Sequence, residues 1–242
     1  MLFRSSALAV AGCDAVSRSS WGPKLLGLGE ALTHGSQRTL TSRTALAQEF
    51  NESDLSPTFR SNGTENPDDK DYQRHVQSQF RDWKLRVDGL VRKPIELSLA
   101  DLRAMKSRTQ ITRHDCVEGW SAIAKWTGVP LSEVLNLVQP TDAVRFVVFH
   151  CADPMDGSGA RYYESIDLED AHHVQTILAY ELNGKPLPVG NGAPIRIRIE
   201  RQLGYKMAKY IMRIELAESY QHIGRGNGGY WEDQGYEWYA GI

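Results

Sequence analysis

ITRHDCVEGWSAIAKWTGVPL, residues Ile111 to Leu131, is the most informative stretch of this 242-residue chain. Cys116 sits there beside Arg113, His114, Asp115 and Glu118, whereas an inert structural cysteine is ordinarily embedded among apolar neighbours. Arginine and a nearby histidine favour the thiolate, the form that acts as nucleophile or metal ligand. Position alone leaves three readings open: a catalytic thiol, a metal ligand and an inert cysteine.

Outward from this stretch the chain reads as short strands and shorter helices. Trp83, Leu85 and Val87 alternate with Lys84, Arg86 and Asp88 up to a turn at Asp88 and Gly89, the pattern of a half-buried strand. Ser98 with Asp101 forms a capping box, and Leu99, Leu102 and Met105 follow at helical spacing. After Pro130, residues Leu131, Val134, Leu135 and Val138 share one helix face. Val144 to His150 is β-branched and aromatic, Ile195, Ile197 and Ile199 alternate with Arg196, Arg198 and Glu200, and Tyr210 to Leu216 alternates again. These elements make an α+β fold. There is no 20- to 50-residue repeat, GxGxxG or P-loop to support a solenoid or an ordinary nucleotide fold.

Composition narrows the function. With 41% hydrophobic residues the chain can build a real core. Lys and Arg number 28 against 30 Asp and Glu, a net charge of −2, so no global field favours nucleic acid or an anionic membrane. No stretch approaches the roughly 18 apolar residues of a spanning helix. Cys13, Cys116 and Cys151 match neither a closed disulfide framework nor paired CxxC zinc spacing, and no CxxCH haem-attachment motif occurs.

Arg113, Cys116, Val117, Glu118, Trp120 and Ser121, followed by Trp126, Gly128, Pro130 and Leu131, resemble the molybdenum-ligand motif of the sulfite-oxidase superfamily. The closest branch is the bacterial one with methionine-sulfoxide reductase catalytic subunits. A second block, Ile177 to Leu216, is similar to that superfamily's cofactor-binding half, and together the resemblance covers about Trp83 to Leu216. It implies a mixed β-sheet, barrel-like molybdopterin-binding fold with short surrounding helices. It also implies a molybdenum-molybdopterin cofactor whose metal takes two pterin sulfurs and the Cys116 thiolate, soft ligands suited to high oxidation states.

The same resemblance assigns further residues. Arg196 and Lys209 would hold the pterin phosphate, with Asn191 and the backbone of Met207 and Ala208 beside them; an isolated strand arginine would instead face water. Cys151 falls where relatives carry a small polar residue near the pterin, with a buried inert thiol as the competing reading. Arg60, Ser61 and Asn62, next to Phe59, fall near an N-terminal segment that reaches the pterin, although Ser56 to Asp71 also has the composition of a linker and Asn62-Gly63 favours a turn. Glu118 would move a proton and Arg113 would orient a substrate oxygen; a structural ion pair is the alternative for each. His172 and His173 read as solvated loop residues. Tyr230, Trp231, Tyr236, Trp238 and Tyr239 in the tail read as packing across the body, with part of a binding surface as the alternative.

The implied function is two-electron oxygen-atom transfer, S-oxide or N-oxide reduction, on a small oxo-donor or oxo-acceptor. Sulfite oxidation is the alternative within the same chemistry, and a metal-free surface-anchored binding protein is the rival from another class. A separate haem or cytochrome partner would carry the electrons. The organisation reads as a truncated signal over 1–20, an N-terminal extension over 21–75 contacting the cofactor domain, the oxidoreductase domain over 76–220, and an aromatic tail over 221–242. Val10, Ala11, Gly12 and Cys13 resemble a lipobox, which implies a periplasmic protein anchored by lipid on Cys13. The segment carries only Arg4 as positive charge and no twin arginine, and without a signal there the protein would be cytoplasmic.

Overall fold

The computed structural model describes residues 29, 32–36, 39, 42–155 and 159–242; Cys13 and the signal reading lie outside them. Two units are distinguished, an N-terminal one up to Arg43, in which residues 32–36 are helical, and a body from Thr44 to Ala240.

In chain order the body contains helix α1 (Lys70–Gln77), strands β1 (Lys84–Gly89) and β2 (Ile95–Ser98), α2 (Leu99–Ala104), β3 (Arg108–Asp115), β4 (Ser121–Pro130) and α3 (Leu131–Val138). There follow β5 (Phe146–Pro154), β6 (Arg161–Asp167), α4 (Leu168–His172), β7 (Ile177–Leu182), β8 (Lys185–Pro186), β9 (Arg196–Arg198) and β10 (Ile211–Ala217). One sheet runs β2-β1-β10-β5-β6, with β1 parallel to β10 and Val87 opposite Ile214. The second runs β3-β4-β7-β8, and β9 joins it through β7.

Local chemistry accounts for the elements. β1 buries Leu85 and Val87 and exposes Lys84 and Arg86, as its alternation requires. Ser98 and Asp101 cap α2 reciprocally. In α3 the four apolar positions Leu131, Val134, Leu135 and Val138 are all buried. They join Trp83, Phe149, Ile195, Ile197 and Ile214 in the main core. Gly128 lets β4 approach β7: a Cβ there would lie 2.2 Å from the Leu178 carbonyl oxygen.

One strand is shorter than its pattern and one expectation is corrected. β9 is only three residues long and buried on both faces: the isoleucines enter the core while Arg196 and Arg198 turn inward onto Trp126, their guanidinium carbons 5.3 and 4.5 Å from its ring centroid. His172 ends α4 and is exposed, but His173 is buried, its Nε2 donating to the Ala45 carbonyl (3.0 Å) and its Nδ1 accepting from the Gln175 amide (3.3 Å). A covering segment, unseen in the local sequence, takes His173 out of water.

Candidate active site

Cys116 stands in the turn that joins β3 to β4. Its N–H donates to the Trp120 carbonyl (2.9 Å) and its carbonyl accepts from the Gly119 amide (3.0 Å), so the pairing of two strands fixes the thiol's position. The thiol lines a cleft that also includes Val117, Glu118, Asn62, Asp153, Met207, Ala208 and Lys209, with Tyr162, Tyr205, Trp231 and Tyr236 as aromatic walls.

Strand alternation separates the charged neighbours of Cys116. Arg113 and Asp115 share the outer face of β3 and pair with each other (2.9 Å), beside a separate pocket that includes Phe50 and Glu200. His114 points inward, where burial and then Arg198, Arg196 and Lys209 push its pKa well below the usual imidazole value. Neither residue supports the thiolate, and the sequence expectation that they do is corrected. Burial pushes the Cys116 thiol up and the Glu118 carboxylate adds to this; the Glu118 amide and Arg60 only partly oppose it. A thiol raised in this way is no activated nucleophile; a coordinating cation, by contrast, would deprotonate it outright. The metal-ligand reading is therefore the one the surroundings favour.

Beneath the cleft lies a cradle with unspent hydrogen-bonding capacity. The fully buried Arg196 donates to the carbonyls of Asn191 (3.1 Å) and Met207 (3.3 Å), while its Nε has no partner. Asn191 Nδ2 and Asn62 Oδ1 are likewise buried and unpaired. Lys209 Nζ donates to the carbonyls of Asn62 (2.5 Å), Thr64 (2.6 Å) and Gly190 (3.2 Å). Burial and the neighbouring Arg196 push Lys209 down to about 7, and burial pushes Arg196 down to about 9. Gly192, at φ +112, lets these two side chains close up: its Cβ would meet Lys209 Cβ at 3.0 Å and Arg196 Cβ at 3.2 Å. Two buried cations whose hydrogen-bond partners are backbone carbonyls leave a place for an anion. His114 adds a further donor, because its Nδ1 accepts from Arg198 (2.8 Å) and its buried Nε2, which then carries the proton, has no partner. These residues fit a pterin phosphate and a thiolate-bound metal.

Of the residues expected from sequence, Cys116, Glu118, Asn62, Met207, Ala208 and Lys209 come together in the cleft, with Arg196 and Asn191 just below. Ser61 packs against Gly190, and Arg60 lies over the Trp120 ring at 5.4 Å. Arg113 is not brought to the cleft. Cys151 is buried in β5 and borders a different pocket with Arg161 and Tyr163; burial pushes its thiol well up. Sequence reasoning missed Asp153, Met155, Tyr162 and Tyr205 in the cleft, while Trp231 and Tyr236, for which packing was preferred to a binding surface, do line it. It also missed a buried triad in which Lys206 Nζ pairs with Glu164 and with Glu232 (2.5 Å). The GYK run at Gly204 to Lys206, next to the cradle residues, was the available signal.

Comparison with known proteins agrees with this geometry. The family described as oxidoreductase molybdopterin binding domain matches residues 72–223. The YedZ1 subunit of Azospira oryzae, whose name associates it with protein-methionine-sulfoxide reductase, is 43% identical over 159 residues, 66% of this chain and 56% of that one. The protein-methionine-sulfoxide reductase catalytic subunit MsrP of Xanthomonas campestris is 41% identical over 145 residues, 56% of this chain and 45% of that one. The chain thus spans about half the length of these curated relatives. The sulfane dehydrogenase SoxCD of Paracoccus pantotrophus shares the fold at a TM-score of 0.51 and 22% identity, over 57% of this chain and 39% of that one. Cys116 in its strand turn, the cation cradle below it and these matches converge: the chain belongs to the oxidoreductase molybdopterin-binding family of the sulfite-oxidase superfamily, enzymes that carry a molybdenum-molybdopterin cofactor.

Proposed function

We propose that this protein reduces neutral S-oxides, by the overall reaction sulfoxide plus two electrons and two protons to thioether plus water, with electrons supplied by a separate redox protein. The observation that carries the reading is the placement of one half-buried thiol in a cleft above two buried cations that hydrogen-bond to backbone carbonyls. The names of the MsrP and YedZ1 relatives support reduction over oxidation. So does the cleft's charge: among the described residues that line it, Lys209 is the one Lys or Arg, and the cradle below commits it to the pterin phosphate. With Lys209 taken up by the phosphate end of the cofactor, a sulfite dianion would meet Glu118 and Asp153 and no further Lys or Arg among the described lining residues.

When bound, the cofactor supplies the two-electron couple and the acceptor for an oxygen atom. The chain does the rest. Arg196, Lys209 and Asn191 hold the phosphate end, and Cys116 Sγ holds the metal. Glu118, whose carboxylate accepts from Trp120 Nε1 (3.0 Å) at the rim, is placed to relay a proton between solvent and the cleft. Tyr205, Trp231 and Tyr236 exclude water from the side where substrate enters.

The test is reductant-driven turnover of the cofactor-loaded protein against sulfoxides and N-oxides, run beside sulfite-driven reduction of an electron acceptor. Sulfoxide turnover that disappears in Cys116→Ala is expected. Turnover with sulfite alone would overturn the proposal and select the oxidative reading.

A further inference from the structure

The C-terminal tail contributes two aromatic rings to the cleft that holds Cys116. Trp231 stacks on Tyr236, ring centroids 5.4 Å apart at 29°, and Tyr236 meets Tyr205 edge-on at 5.3 Å and 89°. Met155 and Val117 border the same space. Tyr236 and Val117 also rank among the exposed large hydrophobic side chains of the described residues, at 40% and 46%. Exposed apolar surface gathered at the mouth of a reactive cleft marks a binding wall rather than core.

The wall is held from behind by unusual means. Glu232, next to Trp231, sends its carboxylate to Lys206 Nζ (2.5 Å), which also pairs with Glu164, and all three side chains are inaccessible or nearly so. Tyr205 donates its hydroxyl to the Glu237 carbonyl (2.7 Å), and Tyr162 donates to the Tyr205 carbonyl. Buried ion pairs are a poor source of stability compared with apolar packing, and their best-attested use is to fix one arrangement against others. Here the arrangement fixed is that of the tail rings against the cleft.

We propose that Trp231 and Tyr236 are specificity-determining residues that grip the apolar arm of a neutral sulfoxide. This rests on the sulfoxide-reductase reading above. Flat polarizable rings make favourable contacts with sulfur and with aryl or alkyl groups, and they offer nothing to a small hydrated anion. The Glu164–Lys206–Glu232 triad acts through them as a positioning device.

The experiment compares methyl phenyl sulfoxide with dimethyl sulfoxide on the same preparation of cofactor-loaded enzyme, so that the ratio of the two kcat/KM values is independent of metal loading. Trp231→Ala lowers that ratio about tenfold, chiefly through KM for the aryl substrate, and Trp231→Phe restores it to within about twofold. Tyr236→Ser, at an exposed position, lowers it about fivefold and keeps the comparison available where Trp231→Ala does not fold. A ratio unmoved in both variants overturns the proposal. NMR titration with the unreactive methyl phenyl sulfone reads the wall without turnover. Wild-type protein that oxidises sulfite alone, yet binds the sulfone in a Trp231-dependent way, overturns the reductase reading and supports the wall. Wild-type protein that reduces sulfoxides with a ratio indifferent to Trp231 overturns the wall alone.

Discussion

Replacing Lys206 by methionine removes the one cation between two buried carboxylates. Lys206 and Glu164 are fully buried and the Glu232 side chain is 1% exposed, so water cannot substitute for the lost ammonium. Breaking a buried ion pair by removing one partner destabilises by about 3 to 5 kcal/mol, because an uncompensated charge stays behind. Two carboxylates remain here, each already with one unpartnered oxygen, so the upper half of that range applies. For a body of this size each kcal/mol moves the midpoint by about 2 to 4 °C, so Lys206→Met lowers Tm by roughly 10 °C or more. Thermal unfolding by circular dichroism, with urea denaturation beside it, measures this. Glu164→Gln keeps the Lys206 ammonium paired with Glu232 and leaves no uncompensated carboxylate, so it loses less. A Tm change below about 2 °C in Lys206→Met would refute the reasoning, since the triad would then not be the buried network described.

His173 is buried neutral and burial holds its pKa below the imidazole norm, so its contribution to stability is present above the unfolded value of about 6.5 and declines as pH falls through it; His173→Gln should flatten urea stability between neutral and mildly acidic pH, and an unchanged slope would contradict this. Gly128→Ala drives a methyl into the β7 backbone and should destabilise by about 3 kcal/mol in urea titration, with no effect as the contrary result. Lys209→Met should purify with a molybdenum content reduced about tenfold by mass spectrometry while keeping its circular dichroism spectrum; full loading would remove Lys209 from the cradle. Arg113→Ala, at a solvent-facing pair with Asp115, should change stability by less than about 1 kcal/mol and leave sulfoxide turnover within about twofold; a loss of turnover would return Arg113 to the site.

Much of the scaffold was legible because one face of each element meets the core. The alternation of β1, the capping box of α2 and the apolar face of α3 carry their own periodicity. In β9 periodicity alone was not enough: Arg196 and Arg198 have the spacing of a solvated face, and only the resemblance drew Arg196 to the cofactor, where Trp126 and the cradle carbonyls take the place of water. The metal-ligand motif was recognisable from residues 113 to 131 as a pattern, but the roles of its charged members were not. Strand alternation sends Arg113 outward and His114 inward, and only the β3–β4 pairing reveals which is which. Lys206, Glu164 and Glu232 lie 42 and 26 residues apart along the chain, and nothing local announces that they meet. The tail rings were visible as aromatic residues, while their place in the cleft depends on that meeting.

X-ray absorption at the molybdenum edge tests the central claim most directly. Wild-type protein should show one more sulfur neighbour at the metal than Cys116→Ser protein loaded with the same pterin. An identical sulfur count in the two would mean that residue 116 does not bind the metal, and the assignment of this cleft would fall.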